Sequence, residues 1–105
     1  MKKQMLKKNN ECKVTFSLPA EATKDAKEVA LVGDFNDWDK KNPIKMKRLK
    51  NGSFKVQLKL ARGKDYHFRY IIDGDKWQND WDADKYEASP IDPSIENSVV
   101  SLIDE

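Results

Sequence analysis

Residues 54–72 read FKVQLKLARGKDYHFRYII, and this stretch decides the fold class. In its first half apolar residues at 54, 56, 58 and 60 alternate with lysine or glutamine. In its second half aromatic or aliphatic residues occupy positions 66, 68, 70 and 72. A period of two places these side chains on one face of a β-strand. Because Gly63 lies between the two runs, we predict two long strands joined by a tight turn.

Shorter runs of the same kind lie on both sides of this stretch. They are centred on residues 14–18, 29–32, 44–48, 76–78 and 99–103. Asn51-Gly52 is a hairpin dipeptide, which predicts a turn between the run at 44–48 and the long strand after it. The absence of a sustained helical period indicates a chain built from strands.

Two segments predict loops. Residues 20–27 have the composition of a helical turn, but we expect a loop there. Residues 80–94 contain Pro90 and Pro93, which disfavour a strand inside a sheet. Six to eight short strands with tight turns therefore predict an all-β fold, an immunoglobulin-like antiparallel β-sandwich.

A length of 105 residues suits one domain. We assign residues 12–105 to a single sandwich domain. We assign residues 1–11 to a flexible basic arm, because four of its positions, 2, 3, 7 and 8, are lysine and no apolar pattern is present.

Composition disfavours several classes of function. Charged residues make up 36% of the chain, yet the net charge is only +2, so we expect a surface of mixed sign. Nucleic-acid binding needs a basic stripe on a folded face, and a membrane span needs about 20 apolar residues, so we expect neither partner. Cys12 is the single cysteine and cannot form an internal disulfide. With no apolar core of a secretory signal at the start, the cytoplasm is the expected location.

No constellation of residues predicts catalysis. His67 is the only histidine and Cys12 is distant in sequence, so a nucleophile with its base is not indicated. Asp80, Asp82 and Asp84 are spaced like the start of a calcium loop, but its sixth and twelfth positions lack the required glycine and glutamate. We expect no metal, no cofactor and no enzymatic activity.

Three tryptophans, Trp38, Trp77 and Trp81, stand outside the alternating pattern among polar residues. Each could pack partly into the fold. Alternatively, a flat aromatic ring can cover the apolar face of a sugar while nearby polar side chains bond its hydroxyls. Arg69 is predicted to face outward from its strand, which would present a cation beside such rings.

Four motifs now stand in order along the chain. Residues 28–38 read EVALVGDFNDW, residues 52–58 GSFKVQL, residues 66–77 YHFRYIIDGDKW and residues 97–102 NSVVSL. Together they resemble the family 48 carbohydrate-binding modules. That group includes the glycogen-binding domain of AMP-activated protein kinase beta subunits and the early-set N-terminal domains of isoamylases and branching enzymes. The resemblance covers about residues 12–103.

The resemblance implies an early-set β-sandwich and a set of carbohydrate-binding residues. Trp38 and Trp77 are implied to stack on glucose rings, while Arg69 and Asn97 are implied to bond sugar hydroxyls. One extra residue lies between Gly74 and Trp77 relative to the commonest spacing, and residues 93–96 differ from the small-residue loop of the kinase type. Trp81 is outside the shared motif, and we expect it to pack under its loop.

The main hypothesis is therefore non-catalytic binding of an α-glucan, either a polysaccharide such as glycogen or starch or a malto-oligosaccharide. A separately encoded glucan-active enzyme or kinase is the expected protein partner. The alternative is an immunoglobulin-like interaction module that has lost sugar binding and docks on such an enzyme. A glucan hydrolase is a third hypothesis, which the short chain disfavours.

Overall fold

The computed structural model describes residues 2–5, 10–23 and 26–103. It contains ten β-strands in that part of the chain. They are β1 (Lys2–Met5), β2 (Glu11–Leu18), β3 (Val29–Gly33), β4 (Ile44–Lys45), β5 (Lys47–Arg48), β6 (Phe54–Ala61), β7 (Asp65–Ile72), β8 (Lys76–Gln78), β9 (Lys85–Ala88) and β10 (Glu96–Ser101). Ala20–Ala22 forms one 3-10 turn and Asp34–Asn36 another.

The strands form two antiparallel sheets. The first has the order β1-β2-β6-β5, and the second has the order β4-β3-β7-β10-β9. Strand β8 pairs with the end of β7, from Tyr70 to Ile72, while β10 pairs with its beginning, from Asp65 to Phe68. Strand β7 is therefore the centre of the second sheet, where it pairs with β3 on one edge and with β8 and β10 on the other.

The core lies between the inner faces of the two sheets. Alternate residues of β2 and β7 supply its largest members, as a period of two requires. The rings of Phe16 and Phe68 meet edge to face with centroids 4.9 Å apart, and Phe68 and Tyr70 are 5.7 Å apart. Fully burying side chains of this size stabilises a fold by roughly 1.5–3 kcal/mol each, so these aromatic contacts hold the sheets together.

The predicted fold class is confirmed, since the chain is an antiparallel β-sandwich. The two long strands around Gly63 are present, and Asn51-Gly52 turns the chain between β5 and β6, where the Gly52 N–H donates to the Leu49 carbonyl at 3.0 Å. The loop predicted at 20–27 contains the 3-10 turn after Pro19, and residues 24–25 lie outside the described residues.

Ten strands exceed the predicted six to eight for three reasons. The run at 44–48 divides between the two sheets, because Met46 is buried between β4 and β5. The expected loop at 80–94 contains β9, whose side chains are exposed and so give no apolar pattern. Residues 2–5, which we assigned to the arm, pair with β2 as β1. Lys7 and Lys8 of that arm lie outside the described residues.

The outward-facing row of β7 is more covered than expected. His67 and Arg69 are half-buried, and Ile71 retains only 6% of its exposure although it faces away from the core. At this end of β7, Ile71 lines a depression together with Lys40, Pro43 and Trp77. Among the described residues, no helix is long and apolar enough to cross a bilayer.

Candidate functional site

Gly33 ends β3 at a point where the neighbouring strand approaches closely. A Cβ atom at this position would lie 2.5 Å from the carbonyl oxygen of His67 and 2.8 Å from the Cβ of Phe68. The backbone of Gly33 is extended, so the requirement for glycine here is one of space. This close approach lets the chain leave the sheet directly over β7.

The next residues fold back over that exit. The Gly33 N–H donates to the Asn36 side-chain oxygen at 2.9 Å, which closes a tight turn. Phe35 packs inward, with its ring centroid 5.5 Å from that of Phe16 and 6.2 Å from that of Tyr66. Phe35 thus anchors the turn in the core, and Trp38, which follows it, lies on the outer side of the sheet.

Trp38 follows in an uncommon conformation that its neighbours hold. Both Asp37 and Trp38 have positive φ, 56° and 55°, a region that non-glycine residues adopt rarely. The Trp38 N–H donates to the Gly33 carbonyl at 3.0 Å, and its indole Nε1–H donates to Asp34 Oδ1 at 2.8 Å. The other Asp34 oxygen accepts from the His67 N–H at 2.7 Å. One carboxylate therefore ties the indole to the central strand.

Trp77 reaches the same side of the sheet from β8. It pairs with Ile71. Ile71 shares the outer face of β7 with Arg69, because the two residues are two positions apart in the strand. Arg69 Cζ lies 5.2 Å from the Trp77 ring centroid, and Lys40 Nζ lies 5.3 Å from it. Both distances are within the reach of a cation–π interaction, so the ring orients two cations.

Arg69 has unused hydrogen-bonding capacity. Among the described residues its buried Nε has no hydrogen-bond partner. Partial burial lowers the pKa of the guanidinium from its ordinary value, yet arginine stays cationic at neutral pH. The side chain is consequently a charged donor held beside an aromatic plane.

Asn97 lies deeper than its predicted role suggests. It retains 5% exposure on β10, and its Nδ2 is 3.2 Å from His67 Nδ1. His67 Nε2 in turn lies 3.4 Å from Glu87 Oε1 on β9. These three side chains form a connected polar group across β7, β10 and β9, in which His67 contacts both of the others.

These side chains line one groove of about 580 Å³. All four predicted residues, Trp38, Arg69, Trp77 and Asn97, contribute to its walls. The loop between β9 and β10 supplies the remaining wall through five residues: Ser89, Pro90, Ile91, Asp92 and Ile95. That volume falls within the 300–1,000 Å³ typical of small-ligand sites.

The wall loop has an ordered shape and an apolar tip. The Ser89 N–H donates to the Ile95 carbonyl at 2.7 Å, and the Ile95 N–H donates to Asp92 at 3.0 Å. Ile91 is 95% exposed and Ile95 is 38% exposed. The altered sequence before Asn97 therefore presents aliphatic side chains at the groove.

Trp81 contradicts our expectation that it packs under its loop. Its side chain is 55% exposed and does not line the groove. The neighbouring Asp80 is buried instead, where it accepts hydrogen bonds from the Tyr70 hydroxyl at 2.6 Å and the Asp82 N–H at 2.7 Å. Asp80 thus anchors the segment after β8 in the interior, and the side chain of Trp81 next to it remains exposed to solvent.

Besides the five loop residues, sequence reasoning missed three groove residues, Asp34, Lys40 and His67. Asp34 lies inside the tryptophan motif and Lys40 just after it, but neither carries a periodic signal, and the sequence suggests for His67 only the role of a catalytic base, for which it indicates no nucleophile. The position of His67 two residues before Arg69 on the same strand face was the available signal. Among the described residues no group of three or more His, Cys, Asp or Glu side chains is arranged to hold a metal ion.

A β-sandwich carrying an aromatic, cation-lined groove on the outer face of one sheet has the form of a carbohydrate-binding module. Residues 21–89, about two thirds of the chain, match the family model described as the glycogen recognition site of AMP-activated protein kinase. The chain belongs to that family. The matched range includes Trp38, Arg69 and Trp77, whereas Asn97 lies outside it.

Two curated relatives are similar to the chain. Over 55 residues, 52% of the chain, it is 44% identical to Protein PTST homolog 2, chloroplastic, of Arabidopsis thaliana. Over 93 residues, 86% of the chain, it is 32% identical to Cruciform DNA-recognizing protein 1 of Saccharomyces cerevisiae strain RM11-1a. The chain spans 10% of the length of the first relative and 18% of the second.

Solved structures share the fold. The catalytic module of the multi-modular glycogen-degrading pneumococcal virulence factor SpuA, in complex with an inhibitor, aligns with a TM-score of 0.59 at 19% identity. The alignment covers 96% of this chain and 16% of that one. A product complex of SpuA gives 0.58 at 19% identity, covering 95% of this chain and 12% of that one. These likenesses concern the fold alone.

Proposed function

We propose that the chain binds α-glucan without catalysing its conversion, with the groove around Trp38, Arg69, Trp77 and Asn97 as the binding site. The observation that carries this proposal is that both indoles and the guanidinium line one groove on the outer face of the second sheet. Membership of a glycogen-recognition family supports the same ligand class.

The groove offers the two kinds of contact that a glucose unit needs. The indoles of Trp38 and Trp77 cover apolar sugar faces, and freezing an aromatic side chain costs little because it has two torsions. Arg69 donates hydrogen bonds to hydroxyl oxygens. Because His67 already contacts the Asn97 amide nitrogen, the amide oxygen of Asn97 is the group available to accept from a hydroxyl.

The expected affinity is modest. The groove is a surface depression, so part of a bound oligosaccharide stays in water and the net gain is small. We expect a Kd on the order of 0.01–1 mM for a short malto-oligosaccharide, which corresponds to roughly −4 to −7 kcal/mol. Glycogen supplies binding units at high concentration, so retention on it should be detectable even at this affinity.

Affinity electrophoresis in a glycogen-containing gel tests the site. Trp38→Ala and Trp77→Ala should each abolish the glycogen-dependent retardation, because each removes one stacking surface. Trp81→Ala is the matched control, since this indole is exposed but lies outside the groove. Circular dichroism establishes that each variant is folded. Folded Trp38 and Trp77 variants that are retarded as strongly as the parent would refute the site.

A second candidate function is docking on a protein partner. Ile91 is almost fully exposed at the rim of the groove, and exposed aliphatic side chains favour protein contacts. In this case the partner would be a separately encoded glucan-active enzyme or kinase. Absence of retardation for the parent chain, combined with capture of such an enzyme that Ile91→Asn weakens, would favour docking over sugar binding.

A further inference from the structure

The outer face of the first sheet, opposite the groove, concentrates lysines that are dispersed in the sequence. Pairing of the strands aligns three rows of outward side chains: Gln4-Lys13-Lys59, Lys2-Thr15-Gln57 and Ser17-Lys55-Lys47. Five of these nine residues are lysines and none is acidic, while Glu11 faces outward in the adjoining row, opposite Ala61. We call these three rows the lysine face.

The fold itself gives no reason for this arrangement. Lys13 lies directly opposite Lys59, and Lys47 lies directly opposite Lys55. Like charges in such cross-strand positions destabilise a sheet. In the described part of the chain, none of the five lysines forms an ion pair, whereas Lys3 and Lys85 on other surfaces do. Among the described residues, no ion pair offsets the repulsion between these lysines.

The polar residues between the lysines point to phosphate as the partner chemistry. A depression of about 530 Å³ on this face is lined by Leu18, Pro19 and Leu49 and by a larger polar set. The polar set is Lys2, Lys55 and the hydroxyl or amide side chains of Thr15, Ser17, Asn51, Ser53 and Gln57. Lysine combined with serine, threonine, asparagine and glutamine is the side-chain set that contacts nucleic-acid backbones.

Other polyanionic partners fit less well. Protein interfaces are depleted in lysine and depend on aromatic residues and arginine, which this face lacks. Peripheral membrane binding commonly adds apolar side chains that insert between lipids. The large exposed apolar side chains of the described residues are Trp81, Tyr86, Ile91, Ile95 and Ile103, none of which belongs to the lysine face. Absence of aromatic residues also disfavours single strands, whose bases stack on rings.

We propose that the lysine face binds the phosphate backbone of a nucleic-acid duplex without reading its sequence. The outer rows are four residues apart on β6, which is ~13 Å. A duplex carries one charge per ~1.7 Å, so this length presents about eight phosphates, of which about half face the sheet. The five lysines are close in number to the roughly four phosphates that would face them.

Fluorescence anisotropy of a labelled 20-base-pair DNA duplex, titrated with the full chain at several salt concentrations, tests the proposal. We expect binding at low salt, with log K falling against log salt at a slope of about −4. Two unrelated duplex sequences should bind equally. Lys55→Gln/Lys59→Gln should weaken binding tenfold or more and make the slope less steep by about 2. Lys27→Gln/Lys76→Gln removes the same charge elsewhere and should change binding less than threefold.

Several outcomes would overturn the proposal. They are no binding at 50 mM salt, equal weakening by both double variants, or an unchanged slope for Lys55→Gln/Lys59→Gln. Tighter binding to vesicles of phosphatidylglycerol than to the duplex would make a membrane the partner instead. Saturating maltoheptaose should leave duplex binding unchanged, because the groove and the lysine face lie on opposite sheets. Displacement of the duplex by the sugar would assign both ligands to one site.

Discussion

Asp34 shows how a single side chain fixes an aromatic ring on the proposed binding surface. Its carboxylate accepts from the Trp38 indole and from the backbone of His67, so the ring is fixed to a central strand although it sits in a turn. The positive φ of Trp38 is a local strain that these contacts hold in place. Fixing the ring before the ligand arrives lowers the entropy lost on binding.

Replacing Asp34 should therefore weaken glucan binding without direct loss of a sugar contact. We expect Asp34→Ala to raise the Kd for maltoheptaose about threefold to tenfold, measured by isothermal titration calorimetry. Asp75→Ala is the charge-matched control, since this carboxylate is exposed and lies outside the groove. An Asp34→Ala variant with the affinity of the parent would show that the indole needs no such support.

At the scale of elements, the site depends on how closely β3 approaches β7. Gly33 has no Cβ atom, and a Cβ at this position would collide with β7. The turn that carries Trp38 can therefore begin directly beside β7. On the other edge of β7, β8 and β10 lie end to end and bring Trp77 and Asn97 to the same face. The groove is thus a product of strand order.

Gly33→Ala should be strongly destabilising. The added methyl group would meet backbone and core atoms at 2.5–2.8 Å, and overpacking of this kind costs about 1–3 kcal/mol. Gly63→Ala is the informative control, because its surroundings are empty and only its positive φ is strained, at a cost of about 1 kcal/mol. Urea denaturation measures both. A larger loss of stability for Gly63→Ala would contradict the packing argument.

The attachment of β9 should respond to acid. Lys85 Nζ on β9 donates to Asp65 Oδ2 on β7 at 2.8 Å, and this contact holds the pKa of the Asp65 carboxyl below its ordinary value. A carboxyl group with a lowered folded-state pKa stabilises the fold above its ordinary pKa of about 3.9, and the contribution is lost as the pH falls through the folded-state pKa.

Asp65→Asn should accordingly be less stable than the parent at pH 6, and the difference should shrink as the pH falls below about 3.9, the ordinary carboxyl pKa. Thermal unfolding measured across this range checks the prediction. Asp75→Asn serves as the control, because this residue has no ion-pair partner among the described residues. A difference between Asp65→Asn and the parent that persists unchanged into acid would exclude the ion pair as its cause.

At the scale of the whole molecule, the alternation of apolar residues along single strands predicted the sandwich. It did not predict which strands pair or in what register. The periods around 54–60 and 66–72 gave the long strands and the outward position of Arg69. The lysines of the lysine face are separated by up to 57 positions in sequence, from Lys2 to Lys59, and only the register of β1, β2, β5 and β6 aligns them. The expected mixed surface is therefore absent from this face.

The candidate site divides in the same way. Trp38, Arg69 and Trp77 were identified from motif and face, and the structure places them along one groove. The cover over Ile71, the exposure of Trp81 and the contact of Asn97 with His67 depend on tertiary packing, which no local pattern encodes. Two opposite faces with different chemistry result, one aromatic and one cationic.

Direct titration of the parent chain with maltoheptaose, followed by tryptophan fluorescence, tests the central claim that the aromatic groove binds glucan. A saturable change with a Kd on the order of 0.01–1 mM, absent when cellohexaose replaces the α-linked sugar, is the predicted result. A flat response to maltoheptaose up to 10 mM, about ten times the weakest predicted Kd, would contradict it.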